Sequence, residues 1–80
     1  MRKEGIRKLN DSTVKFIIAR VIDNANHALE EQKKNPNDDF YHVKCLAYYE
    51  ILDSIKNDLI IEDEDLKEFG LDINLEKKFL

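Results

Sequence analysis

The 80-residue chain has no tryptophan, one proline, one cysteine, one methionine and only two glycines. Each scarcity excludes something. A single cysteine, Cys45, closes no intrachain disulfide, so a reducing, cytoplasmic setting is expected. Gly5 and Gly70 stand far apart, which removes any glycine-rich loop of the kind that cradles phosphates. No apolar run approaches the ~20 residues a bilayer crossing needs. The basic residues of the opening MRKEGIRKLN are not followed by an apolar stretch, so no secretory signal is expected. With Pro36 the sole proline, long helices are permitted on either side of it.

What is present is charge and apolar residues in helical rhythm. The apolar fraction of 42% is too high for a disordered tail, and the 38% charged is too high for a membrane span. The net charge of −4 is unevenly spread. Residues 1–20 carry six cations against two acids, whereas residues 21–80 carry seven lysines against fifteen acids. A polarity of this kind marks either an interaction surface or attraction between neighbouring elements.

Tyr41, Cys45, Tyr48, Leu52, Ile55 and Leu59 recur at alternating steps of four and three, placing them on one face of a helix over 38–60. Phe40, Val43, Ala47 and Ile51 lie beside that stripe and widen it. Lys44 falls near the middle of the widened face, where its stem is expected to be buried and its ammonium to escape sideways. A second series, Val14, Ile17, Ile18, Val21, Ile22, Ala25, Ala28 and Leu29, predicts a helix over 12–34 after candidate N-caps at Asn10, Asp11 and Ser12. Asn35-Pro36-Asn37-Asp38-Asp39 breaks the pattern and is short, so the two helices should fold back on each other. Ala25 and Ala28 are small and let them approach closely near the turn.

Residues 1–10 lack a period and read as a mobile basic arm. In 62–80 a short acidic helix and tail are expected. There Glu62-Asp63-Glu64-Asp65 occupies a first turn, Gly70 stands at a C′ position and Leu71 makes the following apolar contact. The prediction is one all-α domain: an antiparallel helical hairpin plus a short third helix. Both long helices carry apolar arcs wider than a two-helix contact buries. A second copy could cover the surplus, pairing two hairpins into a four-helix-bundle dimer. Alternatively Leu66, Phe69, Leu71, Leu75, Phe79 and Leu80 could fold over it as a lid.

Chemistry-bearing patterns are few. Asp23, His27 and Glu31 share a helix face four residues apart, but it is the polar face, and a solvated surface explains it better than a metal. Asp63 and Asp65 fail the calcium-loop pattern because Lys67 occupies the third ligand position, and Asn35-x-Asn37-x-Asp39 fails it as well. Cys45 projects into the apolar stripe and reads as a small buried hydrophobe. No catalytic, metal or cofactor residue is assigned, and an enzyme is not expected. Phe16, Leu46 and Tyr49 stand among polar neighbours. Together with Glu62, Asp63, Glu64 and Asp65 they form the expected protein-binding surface.

The stretches Ala47-Tyr48-Tyr49-Glu50-Ile51-Leu52 and Asp65-Leu66-Lys67-Glu68-Phe69-Gly70-Leu71-Asp72 resemble small helical proteins of bacterial mobile elements and prophages. The resemblance covers about the second half of the chain. It implies a cytoplasmic accessory protein and brings no activity, cofactor or site residue with it. The function expected is a small regulatory or inhibitory module that binds another protein, itself, or both. The alternatives are a nucleic-acid-associated regulator using Arg2, Lys3, Arg7 and Lys8, or an acidic inhibitor that mimics DNA.

Overall fold

The computed structural model describes residues 10–80. Arg2, Lys3, Arg7 and Lys8, the cations of the expected basic arm, lie outside the described residues. The described chain consists of α1 (Asp11–Lys34), α2 (Asp39–Ile61), a 3₁₀ helix (Leu66–Phe69) and α3 (Leu75–Phe79), with no strand among the described residues. None of these helices is long and apolar enough to cross a membrane.

Each helix begins at a residue whose side chain takes up an orphan amide. The Thr13 N–H donates to Asn10 Oδ1 at 2.8 Å and the Phe40 N–H to Asp38 Oδ1 at 3.0 Å. The Lys67 N–H donates to Asp65 Oδ1 and the Lys77 N–H to Asn74 Oδ1, both at 3.0 Å. Four orphan donors are thereby satisfied locally, which sets the helix starts in sequence. Asn35 ends α1, its backbone N–H bonding Glu31 O at 3.0 Å and its side chain the same carbonyl at 2.9 Å. Pro36 follows, and the chain reverses into α2. Near that turn Gln32 Nε2 and His42 Nδ1 lie 3.0 Å apart, joining the two helices across the hairpin. The expected antiparallel hairpin is present; α1 starts one residue before the expected 12–34 and ends as expected, and α2 lies one residue later than 38–60.

The segment 62–80, expected as a short acidic helix and tail, is built as a 3₁₀ helix followed by the short α3. Glu62, Asp63 and Glu64 do not open a helix. Asp63 adopts φ 59° and closes α2, with the Glu64 N–H bonding Leu59 O at 2.9 Å and the Asp63 N–H bonding Ile60 O at 3.0 Å. This paired bonding around a left-handed residue is the Schellman arrangement, and aspartate tolerates that conformation better than most residues. Only then does Asp65 cap the 3₁₀ helix. Gly70 ends it at φ 74°, with the Leu71 N–H bonding Leu66 O at 3.0 Å and the Gly70 N–H bonding Lys67 O at 3.2 Å. Gly70 and Leu71 thus hold the C′ and C″ positions expected of them. A Cβ at Gly70 would meet only Ile22 Cδ1, at an ordinary 3.5 Å, so the demand for glycine is conformational. Gly70→Ala is expected to lower stability by about 1–2 kcal/mol, the cost of forcing an L-residue into the left-handed region. A urea titration showing no shift of midpoint would contradict it.

The core joins all the elements. Ile18 and Ala25 of α1, Leu52 of α2, and Leu71, Leu75 and Phe79 of the C-terminal segment form one buried cluster. Phe69, Ile73, Tyr48, Tyr49, Ile55 and Leu59 pack against it. Half of the cluster therefore comes from the last ten residues, which makes the lid part of the core. Leu80 stays outside, exposed. Ala28 and Cys45 are also buried, where the small side chains let the helices close. Lys56 Nζ donates to Ile73 O at 2.6 Å and ties the lid to α2.

The lid takes one side of the hairpin. It meets α1 along Lys15, Ala19 and Ile22, and α2 along Tyr49 and Lys56. At 3.6 residues per turn, Ile51 lies on the opposite side of α2 from Tyr49. That opposite side is left without a cover.

Candidate protein-binding surface

The residues expected to form one binding surface are dispersed. Phe16 is 64% exposed and lines a shallow cleft with Lys15, Ile22 and Asp23 of α1 and residues 67–70 of the 3₁₀ segment. The Arg20 guanidinium carbon sits 5.5 Å from its ring centroid. Leu46 is exposed on α2. Tyr49 is partly buried against the core, on the lid side. Partial burial, then the nearby carboxylates of Asp53, Glu76 and Glu50, push its hydroxyl pKa above the usual tyrosine range. The four acids Glu62, Asp63, Glu64 and Asp65 are all exposed but have separate roles. Asp63 closes α2, Asp65 caps the 3₁₀ helix, and Glu62 and Glu64 face a groove that contains none of Phe16, Leu46 or Tyr49.

That groove is the most coherent surface feature. It lies at the open end of the hairpin, where the start of α1 meets the end of α2, and has a volume of about 440 Å³. Val14, Ile18, Ile55, Leu59 and Phe69 make its floor, and Asp11, Asp58, Glu62 and Glu64 its rim. Among the described residues no lysine, arginine or histidine lines it. Local rules explain the composition. Val14 with Ile18, Ile55 with Leu59, and Asp58 with Glu62 are each pairs four apart, so each pair shares a helix face. Asp11 stands in the first turn of α1, where a carboxylate complements the helix dipole. Glu62 and Glu64 follow the last turn of α2, where the dipole does not favour them. Of these lining residues the binding-surface reading of the sequence held only Glu62 and Glu64. The missed signal was available: acids stand at the outer end of both apolar stripes, and an antiparallel hairpin brings those ends together.

A second feature continues from the groove. Phe40, Val43, Ala47 and Ile51 are all exposed and follow at steps of three, four and four. They form one apolar line on the uncovered side of α2. Phe40 is 63% exposed, Val43 60% and Ile51 48%. Lys44 lies in this line, exposed, with Nζ 5.7 Å from the Phe40 ring centroid. Its stem does not enter the core between the helices, contrary to expectation, because the core takes the Cys45–Leu52 side of α2.

Chemistry other than binding finds little support among the described residues. No group of three or more His, Cys, Asp or Glu is placed to hold a metal. Asp23 and His27 are exposed on the polar face of α1, with Glu31 partly so. Cys45 is buried, and that burial pushes its thiol pKa up against a smaller opposing effect of Lys44. A thiol so held is a poor nucleophile. Comparison with protein-family models, with curated proteins and with solved structures finds no match.

Proposed function

We propose that this protein is a small regulatory or inhibitory module that binds a protein partner, and that its groove receives a segment of that partner in which apolar side chains stand beside a lysine or arginine. One observation carries the reading: among the described residues, four carboxylates and no cation stand around an apolar floor. Apolar side chains laid on Val14, Ile18, Ile55 and Leu59 supply the area removed from water. Lysine or arginine at the rim fixes orientation and speeds encounter. The expected use of acidic residues in binding is kept, while Phe16, Leu46 and Tyr49 are replaced by the floor of the groove.

The test uses a defined probe, a fluorescent amphipathic helix of lysine and leucine. The wild-type chain is expected to bind it, and an Asp58→Lys, Glu62→Lys variant to lose about tenfold or more in affinity. A Glu30→Lys, Glu50→Lys variant has the same net charge and should bind nearly as the wild type does. Equal weakening by both variants would mean that overall charge, not the groove, holds the probe, and the reading would fall.

A further inference from the structure

We infer that the groove and the uncovered line of α2 serve each other: the segment that occupies the groove is α2 of a second copy of this chain, running antiparallel. This inference rests on the groove reading above and names its partner. The argument begins with Lys44 and Asp58. Each is seven residues from Ile51, one before and one after, so each lies about 10.5 Å away along the helix. Seven residues are close to two full turns, so both point to the same side of α2 as Ile51. All three are exposed, and Asp58 is also a wall of the groove.

A two-fold axis through Ile51, perpendicular to α2, therefore stacks Ile51 on its counterpart and brings each Lys44 to Asp58 of the other copy. The opposite charges meet twice, as an isologous interface requires. Under the same operation the Phe40 and Val43 end of one helix arrives over residues 59–62 of the other, at the groove. Phe40, Val43 and Lys44 together have the composition the groove calls for, two apolar side chains beside one cation. A parallel pairing would set Lys44 against Lys44 and Asp58 against Asp58, so charge selects the antiparallel register. The lid occupies the other side of each hairpin and does not obstruct this contact. Two hairpins joined in this way make a four-helix layer, a means by which small domains bury surplus apolar surface.

Sedimentation equilibrium over a concentration series, with the full chain, tests the arrangement. The wild type should dimerise. Lys44→Glu and Asp58→Lys should each weaken the dimer by about tenfold or more, and the double variant should recover most of that loss because the pair is restored with reversed sign. Ile51→Asp, an exposed position, should give a monomer with an unchanged circular dichroism spectrum. A wild type that stays monomeric throughout overturns the second copy as occupant. A dimer indifferent to Lys44→Glu overturns the register. Lys44→Glu separates the two readings, since Lys44 does not line the groove: it should weaken the dimer while leaving probe binding at least as strong as in the wild type. Peptide binding without dimerisation would remove this inference and leave the groove reading standing.

Discussion

Replacing Leu52 by alanine is expected to destabilise the protein by about 2–5 kcal/mol. Leu52 has no solvent exposure and belongs to the cluster shared by α1, α2 and the lid. Truncation removes three side-chain carbons, Cγ and its two methyls, from contact with all of them. A chain of this size is held by roughly 4–12 kcal/mol in all, so this one change removes a large share of the total. Urea denaturation followed by circular dichroism at 222 nm would show the midpoint falling steeply. A loss under about 1 kcal/mol would mean that the stripe is not the core.

The second large effect concerns the lid. Phe79→Ala is expected to cost about 3–5 kcal/mol, the range for a buried aromatic truncated to a methyl. Phe79 comes from a helix of only five residues, far too short to be stable alone, so its burial depends on docking. Leu71 and Leu75 are buried in the same cluster, and the Lys56–Ile73 hydrogen bond closes the same contact. Loss of Phe79 should therefore loosen the whole segment from residue 66 onward. Hydrogen exchange would report this directly: amides of the lid should lose protection together with those of α2 near Leu52. If the lid amides exchange early while α2 is unaffected, the lid is an appendage and the core belongs to the hairpin alone.

The parts of this fold that were legible in the sequence are those decided within a turn or two of helix. Val14 to Leu29 and Tyr41 to Leu59 show their period directly, Pro36 marks the reversal, Asn10 is among the candidate N-caps, and Gly70 holds the C′ position expected of it. Less was legible where a residue's position depended on the far end of the chain. Tyr49 stands among polar neighbours in sequence, yet it packs against the core because the lid reaches that side of α2. The acids after Ile61 resemble the start of a helix, yet Asp63 turns the chain first. A left-handed aspartate has no periodicity to announce it.

The groove shows the same division. Its members were visible as three pairs spaced by four residues, but nothing in the spacing says that Val14 and Leu59 are neighbours. Sequence alone determined that the protein is all-helical, where its long helices start and stop, and which faces are apolar. It did so because capping, proline geometry and the 3.6-residue repeat act over a few residues. Tertiary structure decided that the Tyr49 side of the expected stripe would be covered and that the Phe40–Ile51 line on its other side would be left open. That choice turns on the volume and reach of a C-terminal segment that fits against Tyr49 and Lys56, and it leaves Phe40, Val43 and Ile51 in water.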